Sequence, residues 1–123
     1  MCREKCRRPG TELFVCEELA AAREQQRVRL LGFILLAPFG FAGMPYVSSI
    51  GVASEDRGRG LGADLLRFAE KHFAGRSRLY LLVSSFNIRA QEFYRREGFE
   101  FQGELKDFIV AGHSELIYGK RVS

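Results

Sequence analysis

"EDRGRGLGADLL", residues 55–66, decides the reading of this chain. Gly58, Gly60 and Gly62 stand on alternate positions, Arg57 and Arg59 are threaded between them, and a leucine-rich run follows at once. Glycine weakens strands and helices alike, so three within five residues mark a backbone that bends sharply or lets another group come close. The first N–H groups of a helix have no partner inside it and carry the positive end of its dipole. Glycines leave those groups uncovered, so an anion can rest on the backbone itself. Arg57 and Arg59 would add charge-assisted contacts to it.

Two other readings fit less well. Gly58, Gly60 and Ala63 satisfy the loose dinucleotide pattern G-x-G-x-x-G/A, but that pattern needs an acid at the end of the next strand to hold a ribose. The next strand ends "LLVSSFN" (81–87), which has none. No Gly-Lys-Ser/Thr follows, so a P-loop is excluded. A turn with no ligand would explain the glycines and leave the two arginines without a reason.

The 123 residues are expected to form one domain, 1–123, with 46% hydrophobic residues and eleven Phe to fill its core. A net charge of +4 suits an anionic small molecule but, without a basic stripe, gives no case for nucleic acid. The longest apolar run, "LLGFILLAPFGF" (30–41), is too short to span a bilayer and is broken by Pro38. "MCREKCRRPG" (1–10) lacks the apolar segment of a signal peptide. No membrane partner and a cytoplasmic location are therefore expected. Cys2, Cys6 and Cys16 are odd in number with no histidine nearby, so they read as reduced thiols, and no metal is expected.

Along the chain, "TELFVCEE" (11–18) and "VRLLGFILLAP" (28–38) read as strands, the second stopped by Pro38. Between them "ELAAAREQQR" has helix propensity, yet the flanking runs can pair as a hairpin with a helical turn at its tip, and we favour the hairpin. "MPYVSSIGVAS" (44–54) is a third strand with Tyr46, Ser48, Ile50 and Val52 on one side, and Gly51 suggests a bulge or a close backbone contact. Leu61, Leu65, Phe68, Ala69 and His72 follow a helical period closed by Gly75. "SRLYLLVSS" (77–85) reads as a strand buried on both faces. Asn87 caps a second helix, "IRAQEFYRRE", ended by Gly98. "FEFQGELKDFIV" and "SELIYGKRV" form a closing hairpin around residues 111–113. The class is α/β: a single mixed, mostly antiparallel sheet with flanking helices.

From Arg57, "RGRGLG" fits R/Q-x-x-G-x-G/A, and thirty residues on, "NIRAQEFYRREGF" fits N-x-x-A-x-x-F-Y-x-x-x-G-F. Together, in this order and at this spacing, they closely resemble the two principal motifs of the GNAT superfamily of acetyl-CoA-dependent N-acetyltransferases. The likeness covers roughly residues 11–121 and is tightest over 47–99.

The resemblance implies acetyl-CoA as co-substrate and an amine, on a small molecule or a protein N-terminus, as acceptor. Arg57, Gly58, Arg59, Gly60, Leu61 and Gly62 would receive the pyrophosphate. Ile50 and Val52 would offer backbone groups to the pantetheine arm where their strand splays from the next, with a bulge at Gly51 opening the sheet. Asn87 would touch the same arm as well as capping its helix. Tyr94 would protonate the leaving thiolate. The base is less legible: the strand position where relatives often carry glutamate is Leu82. Glu115 and His113 are the remaining candidates, with an exposed strand carboxylate and a plain turn histidine as their ordinary readings. Glu115 is the one chosen. Ser48 and Ser49 could only position a water, and His72 reads as structural.

Members of the superfamily usually begin with a strand and two helices that wall the acceptor site. Here "CREKCRR" resembles the tail of such a helix, so the fold is expected to lack most of the N-terminal strand and helices. A second subunit would then supply the wall, the open sheet edge favouring a homodimer. The alternative is a non-catalytic acyl-CoA-binding or interaction module, or a fragment of a longer protein.

Overall fold

A computed structural model describes the backbone of residues 2–22 and 25–122, and the side chains of residue 4 and of residues 9–18 and 29–122. Seven strands form one sheet: β1 (Cys2–Arg8), β2 (Thr11–Ala22), β3 (Gln25–Phe41), β4 (Met44–Val52), β5 (Arg78–Ser84), β6 (Glu100–Lys106) and β7 (Ser114–Arg121). Their spatial order is β1-β2-β3-β4-β5-β7-β6. Every neighbouring pair is antiparallel except β4 with β5. Helix α1 (Leu61–His72) makes the crossover between those two parallel strands, and α2 (Ile88–Arg96) follows β5. The mixed α/β class and the hairpin of 11–22 with 25–41 are as the sequence indicates. The stretch "ELAAAREQQR", read as a connection with a helical turn, is instead strand as far as Ala22 and again from Gln25; residues 23–24 lie outside the described residues.

The N-terminus differs from expectation in one respect. Residues 2–8 are a strand paired along β2, not the tail of a helix, so the first strand is present. Backbone pairing along a neighbouring strand can hold a stretch extended where local propensity alone favours a helix. Pro9 and Gly10 join β1 directly to β2, with Gly10 at φ +84°, so no helix stands between them. Pro38 does not stop β3, which runs on to Phe41 through an irregular stretch after Ala37. Proline is tolerated where a strand departs from regular pairing. The strand expected over 99–110 ends at Lys106, where Asp107 turns to φ +51°.

The core lies between the sheet and the two helices. Ile34, Leu36, Val47, Leu79, Leu81, Val83 and Tyr118 meet Leu65, Leu66, Ala69 and Phe73, all nearly inaccessible. Ala90, Phe93 and Tyr94 of α2 rest on the same cluster, so both helices cover the same face of the sheet. β5 alternates accordingly: Leu79, Leu81 and Val83 are buried, whereas Tyr80, Leu82 and Ser84 are only half-buried. The expectation of a strand buried on both faces is thereby corrected. Among the described residues, no helix covers the second face.

Two caps hold α2 in place. The Asn87 side chain accepts a hydrogen bond from the Ala90 amide at 3.1 Å. At the other end, the amides of Gly98 and Phe99 donate to the carbonyls of Arg95 and Tyr94, with Gly98 at φ +91°. α1 ends at His72, three residues before Gly75. Truncating Leu65 to Ala removes a side chain wholly enclosed by the core. It should cost about 2–5 kcal/mol, read as a lower urea midpoint with an unchanged m-value.

Candidate functional site

β4 and β5 run together only briefly. Tyr46 pairs with Tyr80 and Val47 with Leu81, and the two strands then part. β4 keeps its other partner, since Ser49, Ile50, Gly51 and Val52 still pair with β3. The register slips between Leu36–Val47 and Leu35–Ser49, which puts a bulge at Ser48. The bulge expected at Gly51 is therefore three residues earlier. The close contact expected there is present: a Cβ at Gly51 would collide with the Phe33 ring. Past Val47 one edge of β4 consequently faces a gap, with backbone groups that β5 does not satisfy.

A short helical turn, Ser54–Asp56, leads from β4 to the glycines. Asp56 is 3% exposed, and Arg29 of β3 grips both its carboxylate oxygens, at 3.0 and 3.2 Å. Glu18 holds the same guanidinium at 2.8 Å. This clamp fixes where the glycine turn begins. Gly58 and Gly60 take φ of +84° and +80°, which L side chains rarely adopt, and nothing lies near where their Cβ atoms would be. Gly60 is the N-cap of α1. Gly62 is the second residue of the helix, where a Cβ would stand 3.2 Å from the Phe93 ring, so its absence lets α1 and α2 approach.

These elements border a cleft of about 780 Å³. Ile50, Val52, Arg57, Gly58, Gly60, Leu61, Gly62 and Tyr94, all named from the sequence, line it together. Arg59 does not; it turns away toward Asp56 at 3.6 Å and borders a smaller recess beside Glu17 and Glu18. Asn87 is also absent from the lining, its amide oxygen being committed to the cap. Sequence reasoning missed Arg89 and Arg96, which border the cleft from α2 and extend its positive charge. Their spacing of seven residues, two helical turns, was the available signal. It also missed Asp56, whose partner Arg29 is far away in sequence.

Tyr94 lies against the core, and burial above all, with the neighbouring Tyr46 second, pushes its phenol above the ordinary 10.0. Tyr46 is raised too, by burial and then by Glu115. Glu115 is not the exposed carboxylate of its ordinary reading: it is 6% exposed and accepts a 2.7 Å hydrogen bond from the Ser84 hydroxyl, directly opposite on β5. His113 is exposed, its ring edge-on to Phe86. His72 is structural, bonded to Glu12 at 3.0 Å among the rings of Phe14, Phe68 and Phe73.

The raised phenols have a consequence for stability. Above pH 10 the unfolded chain sheds phenolic protons that the folded protein retains, so stability falls as pH rises past that point. Tyr94→Phe should shrink that fall, checked by urea midpoints at about pH 9 and pH 10.5. Arg29→Met should speed amide exchange across 56–60, because it strips the buried Asp56 carboxylate of its forked partner and leaves it the more distant, exposed Arg59.

Comparison with known proteins agrees with this geometry. The model of the Acetyltransferase (GNAT) family matches residues 3–99. No curated protein matches the sequence significantly. Among solved structures, nourseothricin acetyltransferase is 28% identical with a TM-score of 0.73, over 94% of this chain and 67% of that one. Arabidopsis thaliana NAA60, in complex with a bisubstrate analogue, gives 0.75 at 17% identity, over 91% and 75%. An aminoglycoside 6'-N-acetyltransferase complexed with coenzyme A gives 0.68 at 18%, over 94% and 74%. With the family match spanning both motifs and the glycine turn set at the head of its helix beside parted strands, the chain belongs to the GNAT acetyltransferase family.

Proposed function

We propose that this chain is an N-acetyltransferase that moves an acetyl group from acetyl-CoA to a primary amine, on a small molecule or a protein N-terminus, by direct attack. The observation that carries the reading is the cleft itself. It gathers an uncovered glycine turn, a free helix N-terminus, Arg57, the unpaired edge of β4 and the Tyr94 side chain around one volume of about 780 Å³. A pyrophosphate would fit such a cradle, because two glycines at positive φ shape the turn and leave its amides without side chains over them. Arg57, Arg89 and Arg96 supply the countercharge.

Acetyl-CoA brings the thioester; the chain supplies position and proton management. The backbone of Ile50 and Val52 would hold the pantetheine arm as a strand holds its neighbour. Tyr94, kept neutral by burial, would give its hydroxyl proton to the departing thiolate. Glu115, oriented by Ser84, would take the proton that makes the amine nucleophilic. Arg59 and Asn87 are assigned lesser parts, at the margin of the phosphates and in holding α2. The protein would work in the cytoplasm, with the acceptor side closed by a second copy of the chain.

Calorimetric titration with acetyl-CoA tests the binding half. A micromolar dissociation constant, about −8 kcal/mol, should disappear in Gly60→Asp, which puts a side chain and a negative charge at φ +80°. Thiol release from acetyl-CoA over a panel of amines tests turnover, with Tyr94→Phe lowering kcat by about 10²–10⁴-fold at unchanged coenzyme affinity. Binding without release for any amine would favour the non-catalytic module instead.

A further inference from the structure

The second face of the sheet, which no helix covers among the described residues, carries a floor of aromatic rings. Phe33 stands directly opposite Gly51, and Tyr80 directly opposite Gly119. In both pairs the glycine leaves room for the ring to lie across the neighbouring strand. A Cβ at Gly51 would meet the Phe33 ring, and one at Gly119 would stand 3.0 Å from the Tyr80 ring. Tyr46 is in register with Tyr80, and the Phe41 ring lies 6.1 Å from Tyr46 and 5.1 Å from Tyr80. Rings laid down in this way make a low apolar platform suited to stacking. The platform and the cleft meet where the strands part, since Gly51 borders the cleft and also lies against the Phe33 ring.

One charge stands beside that platform. Ser84 alternates with the buried Leu79, Leu81 and Val83, so Ser84 and its cross-strand partner Glu115 belong to the second face. Glu115 is almost fully buried, yet among the described residues no Lys, Arg or His comes within ion-pair distance of it. A carboxylate so enclosed, with one hydroxyl bonded to it, lacks a countercharge. A primary ammonium supplies that charge together with three donors.

The far end of the same face limits what else the ligand carries. Arg78 pairs with Arg121 there, on the side of Tyr80 away from Ser84, and both belong to the second face by alternation. A second positive charge lying along the strands would be repelled by them. Between Ser84 and Tyr80 lie four residues of β5, about 13 Å, with half-buried Leu82 midway. The sheet is closed beneath Tyr46 and Tyr80 and open beside Ser84. An ammonium at Glu115 therefore stands by the opening while its apolar body lies back over the closed floor. We infer that the amine taken by this chain is a primary monoamine with a flat apolar body, an aryl ring on a short alkyl chain, stacked on the platform of Tyr46 and Tyr80 with its ammonium paired to Glu115. That this amine is the acetyl acceptor rests on the proposed function, whereas its binding does not.

Tryptamine is the probe, because the chain has no tryptophan and the indole emission then comes from the ligand alone. Its fluorescence anisotropy is followed as the full chain is titrated in, with saturating coenzyme A and again without it, and a saturable rise in either series is expected. Tyr80→Ala and Glu115→Gln should each raise the dissociation constant about tenfold. Phe101→Ser, which removes an exposed ring beside Tyr118 on the helix-bearing face, should leave it unchanged. Phenethylamine should displace tryptamine from the unaltered chain and spermidine at equal concentration should not, a comparison that needs no variant to fold. Flat anisotropy in both series, displacement by spermidine as readily as by phenethylamine, or unweakened binding in both Tyr80→Ala and Glu115→Gln overturns the inference. In that event thiol release with other amines leaves the proposed function standing. Glu115-dependent tryptamine binding by a chain that binds no coenzyme supports this site and removes the acetyl-transfer reading instead.

Discussion

The arrangement of this molecule depends on two parallel strands that stay together for only two residue pairs. Had β4 and β5 continued side by side, their hydrogen bonds would have sealed the sheet and left no edge for a ligand. They part because β4 is drawn the other way. The bulge at Ser48 shifts its register against β3, and Gly51 lets the Phe33 ring lie where a side chain would otherwise stand. Pairing lost on one side is kept on the other, so the gap costs the sheet little. α2 then leans over the opening and brings Tyr94 to it.

The glycine turn is the second half of the same device. Its glycines supply conformation, but their placement comes from Asp56, which Arg29 binds in a forked contact from β3. A buried carboxylate with such a partner is costly to leave alone, so the turn is tied to the sheet from which β4 departs. Strand edge and glycine turn are thus set in one frame, with α1 continuing from the turn into the core through Leu65, Leu66 and Ala69.

Most of the lining of the cleft was legible because it resides in contiguous residues. Glycines that need positive φ, a helix opening behind them and an Asn cap are local events, written within a few positions of one another. The parts that escaped are those made by distant chain. Asp56 is an ordinary turn acid until Arg29 meets it. Glu115 reads as exposed in an alternating strand, yet Ser84 and the close of the β6–β7 turn enclose it. The N-terminal strand escaped for a related reason: "CREKCRR" has no apolar alternation of its own, and its pairing with β2 fixes its form. β5 was read as doubly buried from its apolar composition, and composition does not say how many faces of a sheet carry helices.

α2 is gripped at both ends. Near its start the Gln91 side chain, 6% exposed, donates to the carbonyls of Ser84 and Ser85. Beyond its end, the Lys120 ammonium binds the Glu97 carbonyl and the Glu70 carboxylate, each at 2.7 Å, joining the two helices to β7. The helix bearing Tyr94 therefore has little freedom to swing or slide. The entropy of aiming its hydroxyl is lost when the chain folds, before any ligand arrives. Gln91 and Lys120, which do not line this cleft, in this way set the precision of a group that does.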